Sequence, residues 1–183
     1  MSIVIPEIPP VCMNVAPQHI KWVKNVNDRI TNSAYISPDL LYIPLDRVIT
    51  NSVGTFFCLQ LNPKFKDSLN NVPIGDIILL HQRLNKQSVK CFTHLVTPIG
   101  YNVVPCPYQY NGWPGRWVKV IAMTGNQIAN SIPVSQTMWP SMGFTGQMHD
   151  LSFMQGRIRE IPPTQLLPKL QNDIWNKFQP YIV

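Results

Sequence analysis

The chain has 183 residues, enough for one domain with a substantial core. Charged residues make up 13% of it, about half the usual share, yet the formal net charge is +6. This balance favours anionic partners such as nucleic acid or an acidic membrane. No apolar run approaches the roughly 20 residues of a membrane span, and the N-terminal segment lacks the basic flank and apolar centre of a signal peptide. We therefore expect a cytoplasmic protein that has no membrane partner.

The cysteines indicate a reduced protein. Cys12, Cys58, Cys91 and Cys106 are widely spaced and form no CxxC pair. Cys58 and Cys91 lie within apolar runs, where a free thiol packs as a small hydrophobic side chain. We expect neither a structural zinc nor any other cofactor.

Residues 1–50 are interrupted by repeated prolines, which disfavour long helices and strands. The spacing of Ile20, Val23 and Val26 predicts one short helix over 17–29. We interpret 1–50 as an N-terminal arm packed on the main domain.

Residues 51–183 carry the pattern of a β domain. Apolar runs bounded by turn residues predict five strands, over 55–61, 74–84, 90–99, 116–123 and 155–161. A short polar link follows the first of them. Short strands with peripheral helices predict an α+β fold, built as a small curved β-barrel.

A C-terminal helix is predicted over 162–178. Thr164 is a suitable N-cap. The apolar residues fall on one side of this helix at spacings of four, which predicts that it docks on the sheet; they are Leu166, Leu170, Ile174 and Phe178.

The segment 108–121 combines four aromatic side chains with two basic ones around two glycines. The glycines allow turns, so Trp113 is expected on a tight loop where a strand begins. Alternation along this strand puts Arg116 on the same side as two valines, with its guanidinium at the rim near Trp113. An aromatic ring beside a guanidinium suits stacking on a base and contact with its phosphate. Alternatively, Trp113 caps the core and Arg116 is solvated.

Catalytic and metal-binding signatures are weak. His81 and His94 lie on predicted neighbouring strands, and His149 follows in a loop, but none has an HxH or HxxxH companion. Nucleophile and phosphate-loop motifs are absent, and the carboxylates are scattered. We therefore expect a protein that is not an enzyme.

Residues 137–161 are rich in methionine and aromatic side chains. They predict either an adaptable apolar binding surface or a loop that fills the open end of the barrel. Trp139 is a candidate second wall for a pocket formed with Trp113.

In chain order, several segments resemble motifs of the EVE and YTH branch of the PUA-like superfamily. Residues 56–63 resemble its first strand and polar turn, and 74–83 and 91–99 resemble its Gly-Asp strand and the strand that follows. Residues 113–121 resemble the Trp-x-Gly-Arg motif of YTH domains, and 153–166 the Gln-Gly-Arg strand and closing helix of EVE domains. The resemblance covers about residues 55–175.

The resemblance implies a curved barrel that accepts a modified base, flipped out of its strand, in an aromatic pocket. In this pocket, Trp113 and Tyr108 would be the aromatic walls, and Gln60 and Asn62 would contact the polar edge of the base. Gln155 would lie at the pocket floor or have a backbone role. The phosphate contacts would be Arg116, Lys119, Lys64, Lys66, Arg83, Lys86 and Arg157. The family's tryptophan-bearing insertion after the first strand is missing here, so Trp139 or Trp22 is expected to close the pocket.

The leading hypothesis is a reader of modified nucleic acid, with DNA slightly favoured over RNA, that works with other subunits or domains of a restriction or defence system. One alternative is a protein-interaction domain whose contact surfaces are the methionine-rich loop and the N-terminal arm. The other is a metal-assisted hydrolase built on His81, His94 and His149.

Overall fold

The computed structural model describes residues 4–26, 48–60, 63–83, 90–106, 114–124, 132–133, 148–152 and 163–183. Within these ranges the chain forms an α+β fold with one mixed sheet and two α-helices, which confirms the predicted class. No helix in this part of the chain is long and apolar enough to cross a membrane. The predicted strand 155–161 lies outside the described residues.

Among the described residues, nine strands form the sheet. Their bounds are β1 Ile20–Asn25, β2 Val48–Asn51, β3 Gly54–Gln60, β4 Ile77–Arg83, β5 Lys90–Pro98, β6 Val104–Pro105, β7 Pro114–Met123, β8 Ile132–Pro133 and β9 Met148–Asp150. The order along the sheet is β2-β3-β7-β5-β4-β1-β9, with β6 paired to β7 and β8 to β5. The β1–β4 pair is parallel and the other pairs are antiparallel. Four of the predicted strands are thus confirmed.

The predicted helix over 17–29 is wrong where the chain is described. Pro17–His19 is a single 3-10 turn, and β1 follows it. A register shift between Ile20 and Trp22 places an irregularity at the start of β1, so that Ile20 and Val23 enter the same core cluster. A spacing of three normally indicates a helix, but an extra residue in a strand produces it as well.

Part of the N-terminal region belongs to the sheet itself. β1 lies between β4 and β9, and β2 forms a hairpin with β3. The hairpin turns at Gly54, whose φ of 147° suits a glycine. The predicted boundary at residue 50 therefore falls within a strand.

Two helices cover opposite faces of the sheet. α1 spans Lys66–Asn70 within the predicted polar link, and α2 spans Pro163–Phe178. Thr164 is the second residue of α2 rather than its cap, because proline already suits the first turn. The four apolar residues predicted to dock are all buried: Leu166, Leu170, Ile174 and Phe178.

The core has a layer on each face, because both faces of the sheet are covered. On the face we call the α1 face, Leu69 and Val72 pack with Phe57, Val118 and Val120. On the opposite α2 face, the helix packs on apolar residues of the central strands, which include Ile77, Leu79 and Leu95. Farther along that face, Phe56, Cys58 and Trp117 pack against Cys12 of the N-terminal segment. The strands therefore read as apolar runs in sequence, since both of their sides are buried.

Candidate functional site

β3 ends at the place in the sheet where β7 begins, and β6 joins β7 there. Gln60 pairs with Gly115 of β7, and Gly115 pairs on its other side with Val104 of β6. We call this end of the sheet the Gln60 end. It brings together the chain positions that flank two predicted parts of the pocket, residues 61–62 and 107–113.

Several predicted site residues lie outside the described residues. They are Trp113, Tyr108, Trp139, Asn62, Gln155, Lys86 and Arg157. Arg83 closes β4, but its side chain is not described. The roles assigned to these residues remain predictions.

Gln60 is the last residue of β3. Its side chain is buried on the α2 face, and its Nε2 donates a hydrogen bond to Sγ of Cys106 at 3.0 Å. The contact with Cys106 was not foreseen.

Arg116 requires a correction. The side chain is not at the rim, because only 2% of it is exposed. Its Nη1 donates to the carbonyl oxygens of Leu69 at 2.9 Å and Val72 at 2.5 Å, and its Nε donates to Gly100 at 2.7 Å. These carbonyls lie at the C-terminal end of α1 and in the loop after β5, where a cation also suits the helix dipole. Arg116 therefore joins α1 to the sheet and cannot reach a phosphate.

The predicted phosphate-binding lysines fall into two places. Lys64 and Lys66 are both exposed on the segment that follows the end of β3. Lys119 lies four residues farther along β7 than Gly115, which corresponds to about 13 Å of strand. Its Nζ is 3.0 Å from Sδ of Met13, and its stem packs at Gly54. The structure therefore brings Lys64 and Lys66 together and leaves Lys119 apart from them.

Trp22 lies in β1, the strand that the sequence had placed in a helix, and its row of paired residues runs through Ile78 and Val96 to Val120, five residues along β7 from Gly115. Its Nε1 donates to Oδ2 of Asp76 at 2.9 Å, and Nζ of Lys21 lies 3.0 Å from Oδ1 of the same carboxylate. Asp76 follows Gly75, whose φ of 94° requires a residue without a side chain. The predicted Gly-Asp turn thus fixes the orientation of the Trp22 indole.

The histidines do not converge. His81 and His94 are on the neighbouring strands β4 and β5, as predicted, but His81 packs edge-on to Phe92 and His94 to Phe57. Phe92 belongs to the core of the α2 face and Phe57 to that of the α1 face. No group of three or more potential metal ligands occurs among the described residues. The geometry gives the hydrolase alternative no support.

Two polar side chains are buried in the sheet, namely His94 and Lys24, and the sequence reasoning passed over Lys24. Lys24 pairs with Leu80, and Leu80 pairs on its other side with His94. Burial lowers the pKa of Lys24 to about 7 and that of His94 to about 3. His94 is therefore neutral at ordinary pH, and its Nδ1 lies 2.9 Å from Oγ1 of Thr93. Lys24 follows Trp22 by two residues, so the two side chains lie on the same face of a strand. The predicted helix placed them on different faces.

A thiol pair at the Gln60 end was also missed. Cys58 hydrogen-bonds to Cys106, and both are buried. The sequence signal was the alternation of Cys58 and Gln60, which puts the two side chains on one face of β3. Cys106 could not be assigned to them from sequence, because its position depends on β6 pairing with β7.

Comparisons with protein-family models, curated proteins and solved structures yield no match to this chain.

Proposed function

We propose that the chain is a nucleic-acid-binding module of the EVE and YTH type, which recognises a modified base and performs no chemistry on it. In this proposal the sheet closes into a small curved barrel, and the base enters at the Gln60 end. The natural setting would be the recognition part of a modification-dependent restriction or defence system, with DNA slightly favoured.

One observation carries the proposal, namely the pairing of Gly115 with both Gln60 and Val104. Through this pairing, the segment that contains Tyr108 and Trp113 begins and ends beside the strand that leads to Asn62. These are the residues to which the resemblance assigns the pocket. They are distant in sequence, and a binding site assembled from strand ends requires that they meet.

The exposed lysines support an anionic ligand at this place. Lys64 and Lys66 extend from the segment that leaves the Gln60 end, with exposed side chains and one acidic neighbour, Asp67. Phosphate contacts of this kind position a nucleic-acid strand without reading its base sequence. Discrimination would come from stacking of the base on aromatic rings, which contributes about 1–3 kcal/mol per base.

Two free-energy terms would govern the recognition of a modified base, a cost of extrusion and a gain from burial of the modification. Extruding it from a duplex costs a few kcal/mol, and less where the base is already mismatched or unpaired. A methyl group buried between aromatic walls then gains about 0.8 kcal/mol. In this proposal Gln60, which ends β3 at the same place, reads a polar edge of the base.

The direct test is a panel of labelled oligonucleotides, modified and unmodified, DNA and RNA, titrated by fluorescence anisotropy at two salt concentrations. We expect one modified member to bind at least tenfold more tightly than its unmodified counterpart, with affinity that falls as salt rises. Equal and weak binding to all members would overturn base recognition. A complete lack of salt-dependent binding would favour the protein-interaction alternative.

A further inference from the structure

Cys58 and Cys106 meet because Gly115 has no side chain. β7 separates β3, which carries Cys58, from β6, which precedes Cys106. A Cβ added at Gly115 would lie 2.5 Å from Sγ of Cys58 and 3.4 Å from Cβ of Cys106. The space over Gly115 is therefore filled by the two cysteines, which a larger residue would push apart.

Two hydrogen bonds converge on the sulfur of Cys106. The Cys58 thiol is one partner, and Nε2 of Gln60 donates the other hydrogen bond over 3.0 Å. When Cys106 is protonated, its own thiol faces the carbonyl oxygen of Cys58 at 4.0 Å, which is a weak contact. An arrangement of two donors aimed at one sulfur stabilises negative charge on that sulfur.

The pair therefore has an ordered chemistry. The hydrogen bond to Cys106 and then burial raise the pKa of the Cys58 thiol. When the pair loses a proton, the hydrogen bond from Nε2 of Gln60 favours the charge on Sγ of Cys106. Since the thiolate is the nucleophilic form of cysteine, Cys106 attacks first and Cys58 is the resolving thiol.

The other two cysteines lack this arrangement. The thiol of Cys12 donates to the carbonyl oxygen of Pro98 at 3.3 Å, and Cys91 pairs in the backbone with Pro133 near the opposite end of β5. They are buried and reduced as well, so burial alone does not distinguish the pair. The distinguishing features are the second thiol and the Gln60 amide.

We propose that Cys58 and Cys106 form an oxidation site, which hydrogen peroxide converts to an intramolecular disulfide, and that this bond changes the hydrogen bonding of Gln60. The thiolate of Cys106 attacks one peroxide oxygen, the O–O bond breaks, and a sulfenic acid and hydroxide form. Cys58 then gives its proton to the hydroxide and attacks the sulfur of Cys106, so that the S–S bond forms and the S–O bond breaks. The released hydroxide is protonated by solvent; in total two thiols lose two electrons and one peroxide becomes two waters.

Access and geometry suit this reaction. Cys106 is 4% exposed and Cys58 6% exposed, which restricts large reagents more than it restricts peroxide. The two thiols are already in hydrogen-bond contact, so the disulfide requires the sulfurs to approach without exchange of strand partners. Once formed, the disulfide binds Sγ of Cys106 to Cys58 and so changes the acceptor that the Gln60 amide contacts.

Disulfide mapping tests the site. The purified chain is treated with hydrogen peroxide, unfolded in an alkylating agent and digested without reduction, and the linked peptides are identified by mass spectrometry. We expect Cys58–Cys106 to be the dominant link, with Cys12 and Cys91 alkylated. In Cys58→Ser, Cys106 should stop at a sulfenic acid that dimedone traps, whereas the control Cys91→Ser should still form the link. A folded wild-type chain without the Cys58–Cys106 link, or with another pair dominant, would overturn the proposal.

The effect on ligand binding rests on the proposed function and is measured separately. Oligonucleotide affinity is compared before oxidation, after it, and after reduction with dithiothreitol. We expect a reversible change of roughly three- to tenfold, the size of one hydrogen bond. If the disulfide forms and affinity is unchanged, the coupling to Gln60 is wrong and the oxidation site stands. If no oligonucleotide binds in either state, the proposed function fails, and the mapping still decides the oxidation site.

Discussion

The guanidinium of Arg116 donates to the carbonyl oxygen of Val72 at 2.5 Å, which ties the central strand β7 to the turn after α1. Further bonds reach Leu69 and Gly100, so one buried side chain holds three backbone segments together. The sequence GRW had suggested a phosphate ligand. Its arginine instead stabilises α1, which begins at Lys66 and follows the 3-10 turn that contains Lys64.

Replacement of Arg116 by methionine should destabilise the fold. The carbonyl oxygens of Leu69, Val72 and Gly100 would lose a buried donor, at about 1–3 kcal/mol for each group left unsatisfied. We expect the free energy of unfolding in urea to fall by roughly 2–4 kcal/mol. Lys119→Met, on the same strand but half-buried beside Met13, is the control and should cost under about 1 kcal/mol. A loss equal to that of the control would show that Arg116 is not a structural link.

Substitution of Gly115 by alanine tests the packing of the two thiols. The new methyl group would lie 2.5 Å from Sγ of Cys58 and 3.2 Å from the carbonyl oxygen of Leu59. Overpacking of this kind costs about 1–3 kcal/mol, which thermal or urea unfolding would measure.

Two variants make this prediction specific. Gly100→Ala meets only Pro6, at 3.3 Å, and should cost less. Cys58→Ala removes the clashing sulfur, so the double variant should be more stable than the sum of the two single losses predicts, by about 0.5 kcal/mol or more. Strict additivity would contradict contact between Gly115 and Cys58.

Lys24 should give the stability a pH dependence. Burial lowers its pKa from 10.5 to about 7, so between these values the unfolded chain holds a proton that the folded chain lacks. Stability therefore rises with pH across this window, by at most about 1.4 kcal/mol per pH unit. Below about pH 7 the amine is charged in both the folded and the unfolded chain. The free-energy cost of burying a charged amine then remains in full.

The variant Lys24→Met should remove this dependence and raise stability at neutral pH. Urea unfolding of both proteins from pH 6 to 10 measures it. Lys66→Met, which changes an exposed lysine, is the matched control and should run parallel to the wild type. If the free energy of unfolding of Lys24→Met had the same pH dependence as that of the wild type, the Lys24 amine would not be neutral in the folded protein.

The lysines beside the Gln60 end should contribute to phosphate binding. Lys64→Gln together with Lys66→Gln removes two charges, which should weaken binding to all members of the oligonucleotide panel and reduce the slope of log affinity against log salt by about 1.5–2. The control is Lys169→Gln with Lys177→Gln, two exposed lysines of α2 on the opposite face. Equal effects of both pairs would indicate attraction by net charge alone.

The sequence predicted most of the sheet because runs such as 74–84 and 90–99 are apolar, bounded by turns and too short for helices. It also predicted α2, since its four buried residues repeat every fourth position. It failed at β1, where a register irregularity reproduces helical spacing. Only the parallel pairing with β4, a contact between distant parts of the chain, reveals the strand.

The sequence placed the candidate site at the polar turn after β3 and the glycines of 112–115. The structure pairs the end of β3 with the start of β7, and the roles of the pocket residues stay predictions. Alternation also put Arg116 on the side of Val118, but it could not show that α1 covers this side and supplies carbonyl acceptors. The approach of Cys106 to Cys58 depends on two strand pairings across Gly115, and local patterns do not contain that information.

The most direct test of base recognition is the ratio of dissociation constants for unmodified and modified oligonucleotides, measured by anisotropy for the wild type and for Trp113→Ala. Trp175→Ala, a change in α2, is the control, and circular dichroism verifies the fold of each protein. We predict a ratio of roughly ten or more for the wild type and the control, and a ratio near one for Trp113→Ala, since stacking supplies about 1–3 kcal/mol. A ratio that is unchanged in folded Trp113→Ala would contradict the assignment of Trp113 as a wall of the base pocket.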